Sequence, residues 1–395
     1  MGSTKTSLNP DVIDWQSTEN SALLNPRWTE AERDALFEVA QTVSERRGLQ
    51  GHLWLATSGS TSESVGYIKL VALSKQAFLA SAKSVNQHLN ATPSDTWLQV
   101  LPRFHVGGLG VEVRAMLSGS KVVSDFEKWN PLRIHKLMTE NKITIASMVP
   151  TQVFDLVQAE LKSPSSLRAV IVGGGALNES LYHSARLLGW PLLPSYGMTE
   201  TCSQIATASL ATLKSEKMPL AQRLSHAEWR ATPEGLLQVR GPSLLTCYGQ
   251  LQKDGQIRDW DPKDDGWLET EDFVILENDT VRFSGRKNDF IKIGGEGSSM
   301  GRLREIFDRV VATMDASVSQ QVLLADAPSE RLGSEIHLIT TMQNKNDFIS
   351  QLQENFNREV LPFERIREVK YISTIPRSDL GKVLWVQLKR NLYGH

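Results

Sequence analysis

The sequence predicts an α/β fold: a large N-terminal domain of helix-covered parallel sheets with a small β-rich part, then a small α+β C-terminal domain. Three observations support this fold class. The chain has 395 residues, which is the length of two or three domains. Short apolar strands alternate with helical segments as far as residue 172. After residue 230 the pattern changes to strands that are separated by turn residues.

The N-terminal part of the chain is predicted to alternate between helices and strands. Thr29, followed by the acidic Glu30 and Glu32, begins the first helix, because a threonine cap and early carboxylates both suit a helix N-terminus. The predicted strands that follow cover residues 53–56, 97–101, 121–123, 143–149 and 167–172. The predicted helices between them cover residues 74–89, 132–139 and 151–161. Such alternation favours parallel sheets that are covered on both faces.

The C-terminal part has a mixed pattern. Strands are predicted at residues 235–241 and 280–283, and a hinge is expected near residues 285–289. The remaining elements are a helix at 302–313, strands at 320–325 and 335–341, a helix at 346–357 and a strand at 368–373. About 100 residues suffice for a small domain. We therefore divide the chain into an N-terminal domain, 1–285, and a mobile C-terminal domain, 286–395.

Composition and charge exclude several classes of function. The net charge is -2, and Lys and Arg are balanced along the chain by acidic residues, so no nucleic-acid partner is expected. The polar N-terminus has no secretory signal and no apolar run could span a membrane, which predicts a cytoplasmic protein. Cys202 and Cys247 match no metal spacing, and buried free thiols are favoured over one disulfide. The oligomeric state stays open, with a homodimer as one alternative.

Two glycine-bearing segments follow predicted strands and suit a nucleotide. Residues 57–62 hold five hydroxyls and a glycine, whose donors can surround a polyphosphate, although for this segment taken alone a solvated loop is the favoured interpretation. The three glycines at 173–175 let a flat ring approach the backbone, and a tight turn is the alternative. The sequence contains neither a P-loop motif nor the G-x-G-x-x-G motif of dinucleotide-binding folds.

Four further segments carry polar side chains at strand ends or turns. In residues 195–201, Tyr196 offers a flat face for a purine and Glu200 is a hard oxygen ligand suited to Mg²⁺. An acidic residue of segment 266–272 can accept two ribose hydroxyls, or simply lie in a charged turn. Segment 284–295 suits a hinge or a linker. In segment 375–382, Lys382 lies on a glycine-bearing loop from which it can reach a carboxylate or phosphate.

The order of these segments, together with residues 101–108, resembles the adenylate-forming superfamily of acyl- and aryl-CoA synthetases, luciferases and peptide-synthetase adenylation domains. The resemblance covers residues 53 to 385 and rests on segments 57–61, 101–108, 196–200, 266–272, 285–295 and 376–382. It implies an ATP-dependent enzyme that joins an acid to coenzyme A through an acyl-adenylate. Within this superfamily, residues 196–205 are most similar to the o-succinylbenzoate–CoA ligases of menaquinone synthesis, chiefly through Ser203 and Gln204.

The resemblance also implies which residues bind the nucleotide. The residues expected to hold the β- and γ-phosphates of ATP are Thr57, Ser58, Gly59, Ser60 and Thr61. The residues expected to frame the adenine are Gly173, Gly174, Gly175, Ala176, Tyr196 and Gly197. Asp272 and Arg286 would bind the ribose hydroxyls, and Glu200 would hold Mg²⁺.

Catalysis is assigned through the same resemblance. Thr199 would contact the α-phosphate, and Lys382 would bridge the substrate carboxylate and that phosphate during adenylation, where charge develops. His105 would lie where the acid and the thiol meet. The small domain would then rotate about Asn288 and bring the coenzyme A-binding residues, Lys292 and Gly295, to the thioester site.

Two features depart from the family pattern. Val65 stands where the first loop usually has a lysine, and Lys69 lies four residues further on. Only about 50 residues precede the first segment, so much of the N-terminal subdomain is expected to be missing or minimal, and part of the acid pocket to be rebuilt by other elements or by a partner chain. Three alternatives stay open: a CoA ligase for another acid, an enzyme that loads a carrier-protein thiol, and a non-catalytic nucleotide- or acyl-binding homologue.

Overall fold

A computed structural model of the chain describes residues 6–57, 68–175, 177–252, 254–294, 296–343, 345–378 and 381–394. Three sheets organise these residues. The helices are α1 (Glu30–Arg47), α2 (Lys75–His88), α3 (Val106–Ser118), α4 (Pro131–Glu140), α5 (Pro150–Gln158), α6 (Glu179–Leu187), α7 (Met300–Asp315), α8 (Asn346–Glu359) and α9 (Trp385–Tyr393). Helices α1, α2, α4, α5, α7 and α8 lie where the sequence predicts them, whereas α3, α6 and α9 were not predicted.

The first sheet has six strands and combines both ends of the large domain. Its order is β1 (Thr6–Leu8), β2 (Asn20–Leu23), β3 (His52–Ala56), β4 (Lys69–Ser74), β14 (Cys247–Leu251) and β15 (Ile257–Trp260). Strands β1 to β3 run parallel, and β3, β4, β14 and β15 run antiparallel. Helix α1 packs on this sheet, and the predicted Thr29 cap is present as a capping box with Glu32.

The second sheet contains four of the predicted strands and a fifth, at residues 192–198, that was not predicted. They are β5 (Thr96–Gln99), β6 (Lys121–Ser124), β7 (Ile145–Met148), β8 (Ala169–Val172) and β9 (Leu192–Met198), and each neighbouring pair is parallel. Two apolar clusters pack on opposite faces of these strands: Leu98 and Ala146 belong to one, and Trp97 and Ile145 to the other. This arrangement confirms the prediction of helix-covered parallel strands.

Antiparallel strands extend the second sheet and form its predicted β-rich part. They are β10 (Ser203–Thr207), β11 (Ala221–Arg223), β12 (Glu228–Ala231), β13 (Leu236–Arg240), β16 (Lys263–Asp264), β17 (Trp267–Glu277) and β18 (Thr280–Arg286). The β17–β18 hairpin pairs Asp272 directly with Arg286. Two residues that the sequence assigns to the ribose thus become cross-strand neighbours because of the hairpin register.

The third sheet lies in the C-terminal part of the chain. Its strands are β19 (Phe290–Ile293), β20 (Glu296–Ser299), β21 (Val322–Ser329), β22 (Gly333–Thr340) and β23 (Ile366–Tyr371). Helices α7 and α8 cover one face around Phe307 and Phe356, whose rings meet edge to face. This part has its own apolar core, as the α+β prediction requires. The chain passes from β18 to β19 through a short 3₁₀ turn, Lys287–Asp289.

Two predictions from composition can be compared with the structure. Cys202 and Cys247 are both free and buried, so the interpretation as buried thiols is confirmed. Among the residues that the structure describes, none of the helices has the length and apolar character needed to cross a membrane.

Candidate active site

A cavity of about 2570 Å³ lies beyond the ends of β7, β8 and β9 and is closed on one side by the C-terminal part of the chain. Its walls come from all three sheets, and most of the predicted site residues that the structure describes line it. The carboxyl ends of parallel strands are the usual ligand position in α/β proteins. The fold therefore brings segments that are distant in sequence to one large pocket.

The predicted adenine segment forms one wall of this cavity. Gly173, Gly174 and Gly175 follow β8 directly, and Gly174 has a φ of +77°, which an L side chain rarely adopts. Gly197 lies on β9, where a Cβ atom would meet the Ser203 carbonyl oxygen at 1.9 Å. Because these glycines have no side chains, they leave space in the cavity beside Tyr196. Ala176 lies outside the described residues.

Asp272 is the centre of a hydrogen-bonded group on the same wall. Its side chain is buried, and its two carboxylate oxygens accept from the Tyr196 hydroxyl at 2.6 Å and the Arg286 Nε at 2.7 Å. Burial and the neighbouring Asp272 carboxylate raise the pKa of Tyr196 well above its usual value, so the phenol stays a donor. Two of the predicted ribose residues and one predicted adenine residue thus form one connected group.

Glu200 lies on a short 3₁₀ turn, Thr199–Thr201, that follows β9. Its Oε1 accepts a hydrogen bond of 2.9 Å from the hydroxyl of Tyr248 on β14, and both side chains line the cavity. Burial and the Glu200 carboxylate raise the pKa of Tyr248. A carboxylate held in this way on the cavity wall has the oxygen chemistry that a Mg²⁺ ion requires. Thr199, the residue before it, is buried and also lines the cavity.

His105 and Lys382 meet across the cavity from opposite parts of the chain. His105 precedes α3, and burial together with the Lys382 charge lowers the pKa of its imidazole to about 4. Burial and the Arg286 charge lower the pKa of the Lys382 ammonium. The loop that carries Lys382 approaches the large domain closely, since a Cβ atom on Gly381 would lie 2.5 Å from the Thr151 Oγ1. His105 is therefore a neutral base beside a cation.

The remaining predicted residues are only partly brought to the cavity. Thr57 lines it, while Ser58, Gly59, Ser60, Thr61 and Gly295 lie outside the described residues. Lys292 lies on β19, is exposed and does not line the cavity. The sequence assigns Lys292 to the thioester step after a domain rotation, and that assignment stays a prediction.

The sequence analysis missed a buried arginine, Arg114, on α3. Its side chain is 1% exposed and lines the cavity, and its Nη2 donates to the Ser203 Oγ at 3.3 Å. Its Nε has no hydrogen-bond partner, and it forms no ion pair, among the residues that the structure describes. Burial lowers the pKa of Arg114 to about 10, so it is still a cation at neutral pH.

Two further polar atoms of the cavity wall are unsatisfied within the described part of the chain. Ser147 Oγ and Gln204 Oε1 are buried without a hydrogen-bond partner there, and both residues line the cavity, as Arg114 does. Burial chiefly, and the Arg114 charge to a lesser degree, lower the pKa of His226 to about 4, against the opposing effect of a hydrogen bond with the Gln204 backbone. Buried polar atoms are normally paired, so the unpaired atoms of the cavity wall indicate a place for a polar ligand group, and the charge of Arg114 indicates an anion. The available sequence signal was weak: Arg114 is one of two charged residues, with Glu112, inside the otherwise apolar run of residues 109–117.

The sequence and the fold are similar to those of known adenylating enzymes. A 2-succinylbenzoate–CoA ligase from Bacillus cereus is 31% identical over 372 residues, which cover 90% of this chain and 74% of that protein. One from Oceanobacillus iheyensis is 26% identical over 334 residues, covering 82% and 67% of the two chains.

Solved structures share the same architecture. An o-succinylbenzoate–CoA synthetase from Bacillus subtilis, in complex with an acyl-adenylate intermediate, superimposes with a TM-score of 0.75 at 22% identity. The match covers 94% of this chain and 83% of that one. The same Bacillus subtilis enzyme in complex with ATP and magnesium gives a TM-score of 0.74. The sequence profile of the AMP-binding enzymes matches residues 25–248, more than half of the chain, and this protein belongs to the AMP-binding enzyme family.

Proposed function

We propose that this chain is an AMP-forming acid–CoA ligase whose substrate is 2-succinylbenzoate. In the first half-reaction, a carboxylate oxygen of the acid attacks the α-phosphorus of ATP and pyrophosphate leaves. In the second, the thiol of coenzyme A attacks the acyl carbon and AMP leaves. On this proposal the enzyme works in the cytoplasm and supplies a step of menaquinone synthesis.

The observation that carries the choice of acid is the buried Arg114. An acid with a single carboxylate would have that group consumed at the α-phosphate and would leave the guanidinium without a counter-charge. 2-Succinylbenzoate has two carboxylates, so one can react while the other binds Arg114. Relatives at 31% and 26% identity carry the same name as the proposed activity, which agrees with this reasoning.

The proposed roles of the other residues follow from their places on the cavity wall. Lys382 neutralises the carboxylate and α-phosphate as charge builds between them, and burial keeps water away from that pair. The Asp272 carboxylate, which already accepts two hydrogen bonds, turns toward the ribose hydroxyls when ATP binds. His105, neutral at physiological pH, accepts a hydrogen bond or a proton from the incoming thiol. Glu200 would hold Mg²⁺, which lowers the charge of the phosphates.

Pyrophosphate exchange into ATP across a panel of acids tests the proposal. We expect exchange that depends on 2-succinylbenzoate, and release of the thioester when coenzyme A is added. Carrier protein in place of coenzyme A separates a ligase from a carrier-loading enzyme. ATP binding by calorimetry without exchange for any acid of the panel would instead indicate a non-catalytic homologue.

A further inference from the structure

Lys69 lies at the base of the hydroxyl-rich segment that follows β3. It is the first residue of β4, and its carbonyl oxygen accepts a hydrogen bond of 3.1 Å from the Thr57 amide, the last described residue before that segment. Thr57 and Lys69 therefore lie side by side. Val65 stands where the segment's lysine is expected, so Lys69 is the nearest lysine that follows it in the chain.

The side chain of Lys69 lies over the ring of Tyr248, the residue that is hydrogen-bonded to Glu200. The antiparallel register pairs Lys69 with Gln250 and Val71 with Tyr248, which places the Lys69 and Tyr248 side chains diagonally on one face of the sheet. The Lys69 Nζ lies 4.9 Å from the centre of the Tyr248 ring, whose hydroxyl donates to Glu200 at 2.9 Å. The Tyr248 phenol thus lies between the Lys69 ammonium and the Glu200 carboxylate, and all three residues line the cavity.

The charge of Lys69 has no partner of its own in the described part of the chain. No described carboxylate forms an ion pair with it, and the ring of Tyr248 offers only its π face. A cation on the cavity wall beside Glu200 suits a polyphosphate that also contacts a metal ion at that carboxylate. Lys69 is half-buried, so its ammonium can leave the ring and reach into the cavity.

We propose that Lys69, from strand β4, binds the β- and γ-phosphates of ATP and the pyrophosphate formed from them. This inference rests on the proposed function, because it assumes that ATP binds in this cavity with its terminal phosphates near Glu200. On this proposal, the lysine that binds these phosphates lies on the adjoining strand and not on the loop itself. The sheet register fixes the backbone of Lys69 relative to that of Tyr248, and the flexible side chain carries the ammonium from there.

A purely structural role is the competing explanation. Lys69 could stabilise the Tyr248 ring and so keep the hydroxyl in place for Glu200, without contacting phosphate. Such a role would weaken ATP binding only through the Mg²⁺ ion at Glu200, whereas a direct contact with the terminal phosphates also weakens the binding of metal-free ATP. Neither explanation predicts a large effect on AMP. ATP with and without Mg²⁺ therefore separates the explanations, and a loss that is seen only with Mg²⁺ would support the structural role.

Calorimetry with Mg²⁺–ATP, with ATP in the presence of EDTA and with AMP, in the absence of any acid, tests the proposal on the full chain. We expect Lys69→Met to weaken ATP binding about 10- to 100-fold, the effect of one hydrogen bond to a charged group, and to leave AMP binding within about twofold. Lys69→Arg should restore most of the ATP affinity. The matched control, Lys121→Met, removes an exposed lysine on the edge strand β6 and should change neither affinity.

Pyrophosphate exchange provides a second readout. Lys69→Met should raise the KM for pyrophosphate by a similar factor and leave the KM for the acid unchanged. Equal weakening of ATP and AMP, or no change in either, would overturn the proposal. If the unmodified enzyme gives no exchange with any acid, the proposed function fails, and the ATP and AMP affinities still decide the role of Lys69.

Discussion

Replacing Arg114 with methionine is expected to raise the stability of the protein and lower its affinity for the acid. Methionine has a similar length and no charge, so it fills the space without needing a counter-ion. The side chain of Arg114 is 1% exposed, and it has a single hydrogen bond to a described residue, at 3.3 Å to Ser203. The charge is thus costly to the fold and is useful only when an anion binds.

The effect on stability can be estimated from the pKa of the guanidinium. Burial lowers the pKa of Arg114 from 12.5 to about 10, and at 1.36 kcal/mol for each pKa unit the buried charge costs about 3 kcal/mol. Loss of the contacts with Ser203 and the Trp97 ring offsets about 1 kcal/mol of that gain. We expect the free energy of unfolding to rise by about 1–2 kcal/mol, within the range found when buried ions are replaced by apolar residues.

Arg114→Met should lower catalytic efficiency, although it raises the free energy of unfolding. Removing one partner of a buried charge pair typically costs about 2–5 kcal/mol, which corresponds to a fall in kcat/KM of about 30-fold to several thousand-fold. Pyrophosphate exchange measures this with 2-succinylbenzoate and with 4-oxo-4-phenylbutanoate, the same acid without its ring carboxylate. The unmodified enzyme should prefer the diacid by that factor, and Arg114→Met should treat the two acids nearly alike.

Two results would refute this reasoning. A fall in the free energy of unfolding of more than about 1 kcal/mol would mean that Arg114 stabilises the fold rather than burdening it. Equal loss of activity with the diacid and the monoacid would mean that the guanidinium does not bind the second carboxylate. The preference of Arg114→Lys for the diacid should lie between those of the unmodified enzyme and of Arg114→Met. Lysine keeps the charge but loses the paired donors of the guanidinium.

Three further predictions concern catalysis, the ribose group and acid stability. Lys382→Ala should abolish measurable pyrophosphate exchange and spare thioester formation from a supplied acyl-adenylate; equal loss in both steps would contradict the role proposed for it. Asp272→Asn should raise the KM for ATP about tenfold without changing the KM for the acid, because the carboxylate that pairs with Arg286 is replaced by a neutral amide. His226 has a folded-state pKa of about 4 against 6.5, so the unfolded chain takes up its proton first as pH falls. In urea unfolding, stability should therefore fall between pH 6.5 and 4, and His226→Gln should remove about 1–2 kcal/mol of the difference between pH 8 and pH 5. An unchanged pH dependence would show that another group is responsible.

A helix was predicted from the sequence where residues close to its ends mark where it begins and ends. The α1 helix begins at the Thr29 capping box and ends at Gly48, whose φ is +63°. The α3 helix was not predicted because Gly107 and Gly108 lie in its first turn, where glycine normally argues against a helix. Packing explains the exception, since a Cβ atom on Gly108 would lie 2.3 Å from the Leu101 carbonyl oxygen.

The sequence patterns do not predict which distant strands pair with each other. Strand β14 pairs with β4 through Cys247 and Ala72, which are far apart in the chain, and this contact completes the first sheet. Alternating apolar residues show that a strand has a buried face, but they do not show which strand lies beside it. The parallel strands β5 to β8 were predictable because each is a short apolar run in the sequence.

The same difference between local and distant contacts explains which parts of the site were found. Asp272 and Arg286 are 14 residues apart in one hairpin, and both were recognised from their segments. Tyr248, 48 residues from Glu200, was missed because its role arises only when β14 joins the first sheet. Arg114 was missed for a similar reason: nothing near it in sequence shows that β10 covers it and leaves it without a carboxylate. On the proposed function, the residues of adenylation thus lie in short segments, whereas the recognition of the acid depends on distant contacts. Variants of Arg114 are for that reason a sharper test of the substrate than variants of any segment that the sequence alone identifies.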